Sequence, residues 1–148
     1  MLGLFGKKKL KKGSLIVFDM DNTLVDEFGA TLRPGILSLL RVIHKDYSLV
    51  LWTNSTRDRA KTILREHALI QFFDKFIYRE DYDPKNAGKQ KDCTRLPAAF
   101  IIDDDPAEIA FNKKLGVPGY LISPYRKSAS GRDFTEELMT IKGLIYGK

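Results

Sequence analysis

Three short apolar runs, Leu15–Phe18, Leu49–Trp52 and Phe100–Ile102, are each followed at once by polar residues: Asp19, Thr53 with Asn54, and Asp103 with Asp104. An unbroken apolar run of this length lacks the alternation of a half-exposed strand and suits a strand covered on both faces. Helical patterns lie between the runs. Pro34 opens a stretch with Ile36, Leu39, Leu40, Ile43 and Tyr47 at helical spacing, and Ser55 or Thr56 is placed to cap one carrying Ala60, Ile63, Leu64, His67 and Ala68. Asp105-Pro106-x-Glu108 reads as a helix start, Gly116 as its stop, and Leu138, Ile141 and Ile145 stripe a last helix. Phe76–Tyr78 and Tyr120–Ile122 complete five strands. Strands alternating with helices imply right-handed crossovers and a parallel sheet with helices on both faces. Ligands of such sheets bind beyond the carboxyl ends of the strands, where the polar residues fall.

A chain of 148 residues that is 43% apolar can fill one ordinary core, which argues against two domains and against disorder in the bulk. No stretch approaches 18 consecutive apolar residues, so a spanning helix is not expected. The net charge of +6 suggests nucleic acid until it is located: Lys7, Lys8, Lys9, Lys11 and Lys12 carry most of it and leave the body close to neutral. Residues 1–13 are expected to form a flexible basic tail, with weak contact to anionic lipid or nucleic acid as its alternative role. Residues 14–148 are expected to form a single domain. The lone Cys93 excludes an internal disulfide and fits a reducing, cytoplasmic setting, and with only His44 and His67 beside it there is no zinc cluster.

Any metal would therefore be held by oxygen. Asp19 and Asp21 stand two residues apart at a strand end, and Asp103 with Asp104 repeats the arrangement at another. Like charges so close cost energy unless a cation lies between them, and carboxylates suit Mg²⁺, which works beside phosphate. Thr53 offers a hydroxyl for an anion, and a lysine of the 85–91 loop a point charge. A cation, an acidic nucleophile, a hydroxyl and a lysine around one anion make a phosphoryl-transfer site. The remaining residues read as structural: Trp52 and His67 as packing, His44 as a solvated helix end, Asp105 as a cap, Cys93 as inert, and Arg126, Lys127 and Arg132 as a solvated loop.

LIVFDMDNTLV carries the hhhDxDxT pattern and resembles the first motif of the haloacid dehalogenase-like (HAD) superfamily; LVLWTNS resembles its second and FIIDDDP its fourth. The RPG at Arg33–Gly35, YRED at Tyr78–Asp81 and KDCTRL before IIDDDP are similar to the NLI-interacting-factor group, which includes RNA polymerase C-terminal-domain phosphatases. The resemblance spans roughly residues 15–123 and implies a HAD-like Rossmannoid three-layer sandwich with a five-stranded parallel sheet. It also implies roles. Asp19 would be the nucleophile and Asp21 the acid and base. Thr53 and Asn54 would bind phosphate, and Lys91 would neutralise charge on both. Mg²⁺ would be held by Asp19, the Asp21 carbonyl, Asp103 and Asp104.

Superfamily specificity comes from cap domains, but only 12 residues, Asn22–Arg33, separate Asp21 from Pro34, and another 12, Arg79–Gln90, separate Tyr78 from Lys91. Neither gap can bury a core of its own, so the site is expected to be capless and open. An open site favours phosphate on something large. The resulting expectation is an Mg²⁺-dependent phosphomonoesterase acting through an aspartyl-phosphate on phosphoserine or phosphothreonine protein. The alternatives are a polynucleotide 3′- or 5′-phosphatase, a small-molecule phosphatase, and a catalytically silent binding module.

Overall fold

A computed structural model describes residues 9–148. Five strands, β1 (Leu15–Phe18), β2 (Ser48–Trp52), β3 (Lys75–Ile77), β4 (Phe100–Asp103) and β5 (Gly119–Leu121), form one sheet in the order β3-β2-β1-β4-β5. Every pairing is parallel. Five helices accompany it: α1 (Ile36–Ile43), α2 (Arg57–Glu66), the one-turn α3 (Arg79–Tyr82), α4 (Pro106–Lys114) and α5 (Thr135–Tyr146). No helix among the described residues is long and apolar enough to cross a membrane.

Burial on both faces explains the unbroken apolar runs. Ile16 and Phe18, Leu49 and Leu51, and Phe100 and Ile102 point into the larger core with α1, α2 and α5. Their neighbours Val17, Val50, Trp52 and Ile101 point the other way, toward Cys93, Val117 and Ile109 under α4 and the 82–98 connection. Trp52 is buried edge-on to Tyr82, and His67 hydrogen-bonds the Gly29 carbonyl at 2.9 Å, so both are packing residues. His44 ends α1 with its ring edge-on to Phe72.

Element ends differ from the sequence expectation where local chemistry takes over. Tyr47 lies beyond α1 and Ala68 beyond α2, the latter in a left-handed turn. Thr56 precedes α2 without a side-chain cap, and the Arg57 amide of the first turn donates to the Glu80 carboxylate at 2.9 Å. Gly116 stops α4 at φ +90°, where its missing Cβ matters. Residues 10–13 lie against the end of α5 and the turn after α1. The Leu10 amide bonds the Ile145 carbonyl, Tyr47 bonds the Leu10 carbonyl, the Gly13 amide bonds Asp46, and Lys12 pairs with Asp46. Lys7 and Lys8 lie outside the described residues.

The 22–33 connection, too short for a domain, is a tight loop built around two buried ions. Asp26 accepts from the amides of Phe28, Ala30 and Thr31 and from the Thr31 hydroxyl. Burial alone would raise its pKa, but these four donors hold the carboxyl below its ordinary value. Arg33 is buried against Tyr125 and Phe134 and donates to the carbonyls of Thr23, Asn22 and Ser123. It ties the loop after β1 to the segment after β5. Arg33→Met should cost about 3 kcal/mol, because three carbonyls lose a charged donor, and should lower Tm by several degrees in thermal denaturation without changing the secondary structure.

Candidate active site

The order β2-β1-β4 sets Thr53, Asp19 and Asp103 side by side at one sheet edge, each one strand spacing from the next. The ladder runs to that edge: the Asp19 amide donates to Ile102 and the Thr53 amide to Ile77. Beyond it opens a cleft of about 970 Å³ lined by Asp19, Asp21, Thr53, Asn54, Lys91, Asp103 and Asp104, so all seven sequence-derived residues meet there.

Lys91 is the hub. Its buried ammonium donates to Asp19 Oδ1 at 2.9 Å and to Asp103 Oδ2 at 2.8 Å. The other Asp19 oxygen accepts from the Thr23 hydroxyl at 3.1 Å, and the Asp105 amide donates to Asp103 Oδ1. Asp19, Asp103 and Asp104 present oxygens within 4.8 Å of one another. Three carboxylates around one ammonium leave two uncompensated negative charges, the charge and donor set that a divalent cation matches. Electrostatics agree. Burial, aided by Asp104, raises the Asp19 carboxyl to about 6 against the pull of Lys91. Asp103 rises to about 6, first from burial and then from Asp19. Asp104 shifts up by burial. Burial opposes the charge on Lys91, but Asp19 and Asp103 outweigh it and hold the ammonium charged.

Thr53 is buried, and its Oγ1 accepts from the Ser55 amide at 3.0 Å, leaving the hydroxyl hydrogen for an anion. Asn54 is exposed, with its carbonyl taking Arg79 Nε at 2.8 Å. Asp105 caps α4 through the Ala107 amide. Burial pushes the Cys93 thiol up to about 12, which makes it a poor nucleophile.

Asp21 departs from the pattern. Its carboxylate lies outside the three-acid cluster and is gripped by Arg59 on α2, Nη1 to Oδ2 at 2.9 Å and Nη2 to Oδ1 at 3.0 Å. A guanidinium, not a shared cation, neutralises this second acid. Sequence reading passed over Arg59; its placement four residues after Ser55, whose hydroxyl it also bonds, was the available signal. Glu108 and Asn112 were missed as well. Glu108 does not close a capping box but accepts the Lys91 amide at 2.9 Å. Asn112, one turn later, donates to the Lys91 carbonyl and accepts from the Cys93 amide. Two polar residues at i and i+4 on a buried helix face were the clue. Arg126, read as solvated, lines the cleft with Arg79.

The profile of the NLI interacting factor-like phosphatases matches residues 14–145. The chain belongs to this family. Solved structures carry the same fold at low identity. A hydrolase from Streptococcus pneumoniae TIGR4 superposes with a TM-score of 0.65 at 11% identity, over 90% of this chain and all of the other. The fission yeast RNA polymerase II CTD phosphatase Fcp1, bound to beryllium fluoride, gives 0.60 at 19% identity, over 90% of this chain and 51% of its own. YfnB from Bacillus subtilis, in a structure with magnesium bound, gives 0.57 at 13%, over 74% and 86%. No curated protein sequence matches. The chain is thus a phosphatase of the HAD fold, with five parallel strands and no inserted cap.

The raised carboxyls predict an unusual pH dependence for the metal-free protein. Between about pH 4 and 6 the folded state holds protons on Asp19 and Asp103 that the unfolded chain has released. Unfolding then releases protons, so stability falls as pH rises through that window, by about 2–4 kcal/mol in all. Denaturant melts in chelator at pH 4.5 and 6.5 should show the loss, and Asp103→Asn should remove about half of it.

Proposed function

We propose that this phosphatase is an Mg²⁺-dependent phosphomonoesterase that works through a phosphoryl group carried on Asp19, with phosphoserine or phosphothreonine in protein as substrate. The observation that carries this reading is the Asp19 carboxylate, fixed by Lys91 and Thr23 at the floor of an open cleft beside Asp103 and Asp104. Asp19 attacks phosphorus in line and the bond to the ester oxygen breaks. That oxygen takes a proton from Asp21. Water then attacks the phosphoryl group, Asp21 recovers a proton from it, phosphate leaves and Asp19 is restored. The Thr53 hydroxyl and the Asn54 amide hold the phosphoryl oxygens, while Lys91 balances charge on the nucleophile. Asp19, Asp103, Asp104 and the Asp21 carbonyl would hold Mg²⁺, which supplies charge neutralisation for the phosphate when bound.

The substrate class follows from shape. No domain is inserted after β1 or between β3 and β4 to close the cleft, so the phosphate-bearing molecule must itself cover the site and exclude water. The likeness to Fcp1, a CTD phosphatase, supports protein as that molecule. The buried thiol of Cys93 agrees with the cytoplasmic setting we infer.

With para-nitrophenyl phosphate and Mg²⁺, turnover is expected and should vanish in EDTA. Asp19→Asn should lower it by about a thousandfold or more while leaving the circular dichroism spectrum unchanged. Wild-type turnover in that variant would refute the assignment.

A further inference from the structure

The reaction above gives Arg59 no task, yet Arg59 holds both oxygens of the residue proposed to carry the proton. Its fork is aligned by Ser55 Oγ at 2.9 Å and approaches the Glu27 carbonyl at 3.5 Å. The pair sits in the cleft wall, with side-chain exposures of 39% for Arg59 and 26% for Asp21. The pair is half-solvated, and an incoming carboxylate restores the two bonds that Asp21 gives up, so one anion can exchange for the other at small net cost. Until that happens Asp21 is held outside the cluster containing Asp19.

We propose that Arg59 is a specificity residue that reads a second carboxylate on the substrate. An acidic side chain next to the phosphorylated residue takes the place of Asp21 in the guanidinium fork. The incoming carboxylate conserves the charge in the fork; Asp21, freed from the pair, takes a proton from solvent and turns to the leaving oxygen as a carboxylic acid. The inference rests on the phosphatase reading given above. What already sits in the fork indicates its preference: a planar carboxylate, bound bidentately. The same wall carries a further cation beside an acid that is already engaged. Glu27, beside Arg59 through its carbonyl, accepts the Lys127 amide at 2.7 Å through its carboxylate, which brings the 126–127 segment to the same side. Arg126 lines the cleft there, and among the described residues its guanidinium makes no hydrogen bond or ion pair. The favoured substrate is therefore an acidic phosphopeptide.

The test uses the full chain with Mg²⁺ and three substrates: para-nitrophenyl phosphate and two phosphoserine peptides of equal length, flanked by Asp in one and by Asn in the other. Wild-type kcat/KM should be about tenfold or more higher for the Asp peptide. Arg59→Gln should bring that ratio to about one, and Arg59→Lys should retain part of it. Failure of the wild type on all three substrates would sink the phosphatase reading itself. Turnover of para-nitrophenyl phosphate with no preference between the peptides would sink the Arg59 inference alone. So would an Arg59→Gln protein that slows on all three substrates while keeping the ratio, the result of a purely structural role. A terminally phosphorylated oligonucleotide preferred over both peptides would overturn the peptide assignment. Should Arg59→Gln fail to fold, the wild-type ratio read against salt decides. It must shrink as salt rises, and a constant ratio would overturn the proposal.

Discussion

Everything at this site depends on one ammonium group placed among three carboxylates. Lys91 bridges Asp19 and Asp103 directly, and Asp104 completes a set that one positive charge cannot balance. Burying such an arrangement is unfavourable unless each charge is paired and hydrogen-bonded. The protein meets that cost from several directions. Thr23 and the Asp105 amide satisfy the remaining oxygens, while Glu108 and Asn112 clamp the backbone on either side of the lysine. The excess negative charge is what a divalent cation would neutralise, so that an anionic phosphate could then enter.

The fold supplies the geometry. Adjacent parallel strands end at one edge, so three residues far apart in sequence become neighbours without strain. The loop after β1 needs separate support because it carries both Asp21 and the Asn22 turn, where φ is +64°. Arg33 below and Asp26 beside it are that support, buried ions that bond backbone rather than substrate. Gly29 belongs to the same device. It stands at φ +70°, and an added Cβ would fall 2.4 Å from Ile63 Cδ1, so this loop can pack on α2 only with glycine there.

Much of this was legible in the residues. Five strands, the long helices, the carboxyl-edge site and the acids on it follow from short apolar runs ending in polar residues, because two-sided burial leaves no alternative pattern. The missing cap was readable from loop length. What escaped were interactions made by polar residues whose partners lie far away in sequence. Arg59 looks like one more surface cation on α2 until the fold brings Asp21, 38 residues earlier, into its fork. Glu108 fits a capping motif that tertiary structure overrides in favour of the Lys91 amide. Nor does any local pattern announce that the Leu10 amide donates to the Ile145 carbonyl on α5.

The central claim is that Asp19 takes the phosphoryl group. It is tested most directly by quenching the enzyme in acid during turnover of a phosphomonoester and mapping the adduct by mass spectrometry. With para-nitrophenyl phosphate, whose leaving group departs without a proton, Asp21→Asn should slow chiefly the hydrolytic half-reaction and help the adduct accumulate. One phosphoryl group is expected on the peptide that contains Asp19, lost on mild alkali as an acyl phosphate would be. Steady turnover with no adduct under any quench, or an adduct on another residue such as Cys93, would contradict it.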